Sequence, residues 1–396
     1  MFIAITKSGE MISTLSHSTM ELHLLKKRET FFCPSCKEEV LLKIGSIKNP
    51  HFAHRSKCVY TTENETEEHL MGKKVLYDWL KNQMVQVEIE KFFYEISSRP
   101  DIYAEWKKRK IAIEFQCSHI SKDEILKRTN KFFQIEIIPI WMVHSKHIKL
   151  NKQFHLHLND FLSSMIHGPH LYALDPLNKE IWILTHFLPI SKLRCLATIH
   201  RYSLSSRKTF FSMFQKKPLT ISMFDRWAQD TIFWLYRLPI QPYARKIPIL
   251  HTLYHHQIHP LQLPPIIGLP IPNMHYIETP PLEWQTYLWL FKLKNKRKGD
   301  SITKDELFHW THSFINKNRI KLREIPNITI KNVFHMIIQY MELLGEIGYV
   351  KKKQDNYFVN KEIHALSSQL EENVNKRKNF FHHYKGKIIT FYMKKY

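Results

Sequence analysis

An acidic residue stands inside what otherwise reads as a fully buried strand, and few folds can accommodate one there. Ile111, Ala112, Ile113 and Phe115 form an apolar, strand-forming run, and Glu114 interrupts it. A charge in such a place is costly unless a cation or hydrogen bonds compensate it. Asp101 follows a proline at the start of the preceding strand-like segment, within RPDIYAEWKKRKIAIEFQCS. Two short strands joined by the basic turn Lys107 to Lys110 would bring Asp101 and Glu114 to neighbouring strand ends. The two carboxylates would repel each other there unless a divalent cation sat between them.

The flanking segments extend the pattern. Glu63 to Leu80 reads as an amphipathic helix with Leu70, Val75, Leu76 and Trp79 facing inward. Glu65, His69 and Lys73 share another face at i, i+4 and i+8, one the core does not need. Strand-like runs begin at Val85, Pro100 and Lys110. A helix is expected from Lys122 to Phe133, capped by Ser121 with Glu124 completing a capping box, and a last buried strand begins at Ile135. The order α-β-β-β-α-β describes an α/β (α+β) core of about 85 residues.

The chain has 396 residues and a formal charge of +23, from 59 Lys and Arg against 36 Asp and Glu. That excess points to a polyanionic partner, nucleic acid first and an anionic membrane surface second. With nine glycines and neither GxxxxGK[ST] nor GxGxxG, the sequence carries no fingerprint of an ATP-driven motor or a dinucleotide enzyme. No apolar run reaches the length of a membrane span, and the N-terminus lacks the zones of a signal peptide, so the expected location is the cytoplasm.

Cys33-x2-Cys36, His51-x2-His54 and Cys58 offer five ligands for four places in a small β-rich module. The expectation is a structural Zn²⁺ held by Cys33, Cys36, His54 and Cys58, with His51 as the alternative imidazole. Residues 150 to 235 carry no assignable chemistry. Ten of nineteen prolines fall between Pro239 and Pro281 in an apolar context, which suggests extended chain packed across a surface. Beyond it come a helix from Lys304 to Phe314 with a Thr303/Glu306 capping box, a helix from Thr329 to Leu344, and a basic hairpin from Gly348. That end resembles a winged helix; an all-helical interaction domain with a surface hairpin is the alternative. The expected domains are a zinc-finger-like module (1–60), the α/β core (61–150), a mixed, proline-rich middle (151–282) and a helical, winged-helix-like end (283–396).

A helix bearing Glu and His, then PD, then twelve residues, then ExQ, is the order of the PD-(D/E)xK nuclease superfamily. The residues FFCPSC, HFAH, ETEEH with Lys73, RPDI, IAIEFQCS, and ISKDEILKR leading to IPIWMV make the chain resemble the CoiA competence proteins, a family associated with uptake and processing of transforming DNA. The resemblance implies a restriction-endonuclease-like domain behind a zinc-finger-like module. It also implies a metal-dependent nuclease acting on single-stranded or branched DNA alongside competence and recombination proteins. Mg²⁺ or Mn²⁺ would be held by Asp101 and Glu114, with Glu65 reaching it directly or through water. His69 would contact the scissile phosphate or aid proton transfer. Arg128 would hold a backbone phosphate; its alternative is a surface arginine. Gln116 stands where the superfamily has its catalytic Lys. It can orient water but brings no charge, and Lys73 would restore one. The second reading is a DNA-binding accessory protein that keeps the fold and has lost hydrolysis.

Overall fold

The computed structural model describes residues 1–45, 49–55, 66–83, 86–206, 215, 217–326 and 328–396. The chain forms two compact units, one from Met1–Ile148, Ser164–Ile183 and His200–Gln215, the other from Lys149–Ser163, Leu184–Ile199 and Lys216–Tyr396. It is a mixed α+β protein with ten α-helices among the described residues, none long and apolar enough to cross a membrane.

The first unit opens with β1 (Ile3–Thr6), β2 (Met11–Ser13), α1 (Thr19–Arg28), β3 (Phe31–Phe32), β4 (Glu39–Lys43) and β5 (His51–His54). The strands form an antiparallel sheet in the order β2-β1-β3-β4-β5. Inward alternation along β4 (Val40, Leu42) packs against Ile12, Leu22, Phe31 and Phe52.

Next come α2 (Glu67–Lys81), β6 (Gln86–Ile89), β7 (Ile102–Trp106), β8 (Arg109–Gln116), α3 (Lys122–Gln134) and β9 (Ile138–His144). The β7–β8 hairpin turns on Lys107 and Lys108, both with positive φ, as a two-residue turn demands. β9 lies parallel to β8, with Ile113 opposite Ile140. Side-chain alternation along β8 supplies both faces. Ile111, Ile113 and Phe115 pack with Leu76, Trp79 and Leu80 of α2, while Ala112 packs with Phe132 of α3. Gly72 lets α2 come close, since a Cβ there would lie 2.1 Å from Phe115 Cε1.

Ser121 caps α3 by accepting from Glu124 N–H at 3.2 Å; the reciprocal bond of a capping box is not among those described. Val75 is only half-buried. Lys73 departs furthest from expectation. Helical spacing puts it on a face the core does not need, yet its side chain is fully buried. Glu90, at the end of β6, makes this tolerable by supplying an anion inside the protein, a partner no helical spacing reveals.

The chain continues through β10 (His155–His157), α4 (Asp160–Ser164), β11 (Leu171–Asp175), β12 (Glu180–Pro189) and β13 (Arg194–Ser203). β11 pairs in parallel with β9, and β10 pairs antiparallel with β13. The second unit adds α5 (Ile221–Arg237), α6 (Pro248–His255), α7 (Pro281–Leu288), β14 (Ser301–Thr303), α8 (Lys304–Asn316), α9 (Ile330–Glu346), β15 (Val350–Lys353), β16 (Asn356–Val359) and α10 (Leu370–Lys395). Both bonds of the Thr303/Glu306 capping box are present. The β15–β16 hairpin joins β14 in a three-stranded sheet with Tyr357 fully buried, so it is more than a surface ornament.

The proline-rich segment is not an extended strip on a surface. It holds short helical turns and α6, and Leu263, Ile266, Ile267, Leu269 and Ile271 are core residues. Backbone carbonyls so deep need partners. The buried Arg377 of α10 donates to those of Leu263, Pro264 and Ile267 at 2.9 to 3.0 Å and to that of Pro265 at 3.4 Å, and the Tyr340 hydroxyl donates to that of Ile266 at 2.9 Å.

Candidate active site and metal centre

Asp101 and Glu114 approach each other because of the β7–β8 register. Ile102 faces Ile113, and one further step puts Asp101 across from Glu114. The carboxylates then diverge. Asp101 precedes the strand proper and accepts from Phe115 N–H at 2.8 Å and His69 Nε2 at 3.0 Å, with Lys73 Nζ 3.8 Å from its other oxygen. Glu114 reaches the α3 side, where Arg128 donates to Oε2 at 2.5 Å while its guanidinium lies 4.9 Å over the Trp141 ring. Arg128 is thus neither a loose surface arginine nor free for a phosphate while this pair holds.

These surroundings drive the two acids apart in proton affinity. Burial pushes Asp101 up, but the charge and hydrogen bond of His69, the Lys73 ammonium and the Phe115 N–H together hold it well below the carboxylate range. Glu114 is 1% exposed, and burial, aided by the Asp101 charge, pushes its carboxyl up to about 7 against the pull of Arg128. Its Oε1 is buried and has no hydrogen-bond partner. An orphaned carboxylate oxygen beside a second acid is a feature a hard cation would satisfy.

Lys73 Nζ pairs with Glu90 Oε1 at 2.5 Å, and Glu90 Oε2 accepts from the N–H groups of Phe2 and Ile3 at 2.8 and 3.1 Å. The lysine is committed to this buried pair and contributes to Asp101 only as a second neighbour. Gln116 is buried, with Nε2 donating to Ser118 O at 3.0 Å. Glu65 and Cys58 lie outside the described residues.

Sequence reasoning did not find Glu90, His144 or the Glu68–Lys146 ion pair. His144 closes β9, stacks on Phe115 with ring centroids 6.0 Å apart, and has Nε2 3.8 Å from Glu68; Lys146 donates to Glu68. The available signal was a lone polar residue ending an apolar strand at the same sheet edge as Gln116. Burial pushes the neighbouring Cys117 thiol up to about 12, which leaves it no nucleophile at neutral pH.

In the N-terminal module, the ligand atoms of Cys33, Cys36 and His54 lie within 4.8 Å of one another, and Cys36 Sγ is 3.3 Å from His54 Nε2. Among the described residues, these three make the one group of three or more His, Cys, Asp or Glu side chains close enough to share an ion. Two thiols and an imidazole are soft-to-borderline donors and could hold a transition metal. His51 turns elsewhere, with Nδ1 2.9 Å from Asn49 O.

Together these features define an α/β domain with two buried acids on one hairpin, following a cysteine–histidine module, and comparison with known proteins finds family models for both. Residues 14–61 match the model "Competence protein CoiA, N-terminal domain", 65–241 "Competence protein CoiA, nuclease-like domain", and 234–374 "Competence protein CoiA, C-terminal domain". The chain belongs to the CoiA competence protein family. It is 26% identical to the competence protein CoiA of Bacillus subtilis (strain 168) over 359 residues, 87% of this chain and 94% of that protein. No solved structure matches.

Proposed function

We propose that the chain is a metal-dependent DNA nuclease of transformation, acting on single-stranded or branched DNA in the cytoplasm, with residues 61–150 as a restriction-endonuclease-like core. The order α2-β6-β7-β8-α3-β9 supports that core. The observation carrying the activity is the buried, unpartnered Glu114 Oε1 across the hairpin from Asp101. Asp101 and Glu114 would hold Mg²⁺ or Mn²⁺, with Glu65 the further candidate ligand; such an ion lowers the pKa of bound water and offsets charge on the phosphate. His69, through Nε2, orients the Asp101 carboxylate and stands within reach of a proton in transit. Gln116 presents a neutral amide for orienting water. Cys33, Cys36 and His54 fit a structural Zn²⁺ with Cys58 as fourth ligand. The order β14-α8-α9-β15-β16 supports a winged-helix-like end, and since α9 is mostly buried and Lys352 pairs with Glu342 at 2.9 Å, the exposed Lys351 and Lys353 of the hairpin are its candidate phosphate contacts.

The test is cleavage of labelled single-stranded and branched DNA with Mg²⁺ or Mn²⁺, comparing wild type with Asp101→Ala. Metal-dependent cleavage abolished in the variant is expected. DNA bound but uncut by wild type with either metal would favour the second reading, a DNA-binding accessory protein. One feature favours that reading: each carboxylate already has cationic partners, Arg128 on Glu114 and His69 with Lys73 at Asp101.

A further inference from the structure

Between Thr231 and Ile277 the chain contains no Asp or Glu, against Arg237, Arg245, Lys246 and five histidines. Most of the protein's aromatic side chains are in cores, but in this stretch several stand in solvent. Tyr254 is 81% exposed, Tyr243 70% and Tyr236 59%, and Ile240 is 70% exposed among them. A groove of about 1130 Å³ runs along α6, lined by Arg245, Leu250, His251, Tyr254, His255 and His259. The His251 ring donates to the Arg245 carbonyl, tying the cation-bearing turn Ala244–Lys246 to the helix that carries Tyr254. On the adjoining turn of α5, Arg237 lies 4.7 Å over the Phe233 ring, so cation and aromatic face also occur together there.

Water-exposed aromatic faces interleaved with cations, over 47 residues with no acid to repel a phosphate, suit one class of ligand. An unpaired base offers a face to stack on a ring while its backbone meets Arg or Lys. A duplex does not, because its base faces are already stacked on one another. An apolar protein surface would gain from the tyrosines and Ile240 but would leave Arg245, Lys246 and the histidines without counter-charge.

We infer that this groove binds a single strand of nucleic acid, with Tyr254 stacking an unpaired base and Arg245 and Lys246 meeting the phosphates. The inference rests on the DNA-processing reading for the identity of the strand and assigns single-strand capture to a place apart from the Asp101–Glu114 site.

The test is fluorescence anisotropy of full-length protein with labelled oligothymidylate and with a blunt duplex, without added Mg²⁺ or Mn²⁺ so that no cleavage intervenes. Tyr254→Ala should weaken single-strand binding about tenfold, the range of one lost stacking contact, with duplex binding within about twofold of wild type. Tyr254→Phe keeps the ring and should restore affinity. Because Tyr254 is so exposed, the variants should melt with wild type, and circular dichroism checks this. Single-strand affinity unchanged in Tyr254→Ala, or equal loss on both DNAs, overturns the inference. Absence of metal-dependent cleavage by wild type would sink the nuclease reading alone, whereas normal cleavage with unaltered single-strand binding in Tyr254→Ala would sink this one alone.

Discussion

Replacing Lys73 with Met should be among the most damaging single changes in the first unit, although by helical spacing it shares a face with Glu65 and His69 that the apolar residues of the helix leave free. Lys73 is fully buried and pairs with a Glu90 side chain that is 1% exposed, at 2.5 Å. Glu90 cannot swing to solvent when the ammonium is lost, because its other oxygen is held by the N–H groups of Phe2 and Ile3. Removing one member of such a pair strands the other charge, which costs about 3–5 kcal/mol. Glu90→Gln keeps an acceptor for Phe2 and Ile3 but strands the lysine, and a loss of similar size is expected. The double variant Lys73→Met/Glu90→Gln removes both charges and should return to within about 1–2 kcal/mol of wild type, because exchanging a whole buried pair for neutral groups is often close to neutral. With each single costing at least about 3 kcal/mol and the double at most about 2, the cycle predicts a coupling of at least about 4 kcal/mol. Urea unfolding followed by circular dichroism for the four proteins measures it. A Lys73→Met cost below about 1 kcal/mol, or a double variant as unstable as the sum of the singles, would show that the pair is not the buried tie inferred here.

Three other outcomes follow from the same geometry. Glu114's carboxyl is raised from its ordinary 4.5 to about 7, chiefly by burial; a raised acid contributes stability that is full below its unfolded pKa and lost as pH rises through its folded one. Without added Mg²⁺ or Mn²⁺, the melting temperature of wild type should therefore fall relative to Glu114→Gln between about pH 5 and 8, and parallel profiles would contradict the assignment. Gly72→Ala puts a methyl 2.1 Å from Phe115 Cε1; overpacking of about 1–3 kcal/mol is expected in thermal melts, with weakened cleavage because that ring contacts both His69 and His144. Reduced wild-type protein should carry about one zinc by elemental analysis and Cys36→Ser much less, and a wild type holding under about half an equivalent would remove the proposed centre.

The parts of the fold visible in the sequence are those fixed by local pattern. Alternation in β8, the apolar run of β9 and the Ser121 cap of α3 each depend on neighbours a few residues away, and the structure has all three. The order of acids also put Asp101 and Glu114 on one hairpin. What the sequence does not carry is which charge answers which. Glu114 meets Arg128 from α3 and Lys73 meets Glu90 just past β6, pairings set by helix packing over the sheet rather than by spacing. The same limit misled the reading of the proline-rich stretch. Its apolar composition was plain, but whether such backbone can be buried depends on an arginine more than a hundred residues later.

That arginine sets a timetable for the second unit. The carbonyls of Leu263, Pro264, Pro265 and Ile267 emerge from synthesis 110 to 114 residues before the guanidinium that satisfies them. At about 5–20 residues per second the interval is on the order of 5–20 seconds. Throughout it the apolar segment can be wetted or transiently collapsed, but it has no lasting place inside a core. The second unit is therefore completed late and all at once, when α10 threads its cation among those oxygens. Until then, this apolar stretch has to wait outside any finished core, with its backbone carbonyls met by water.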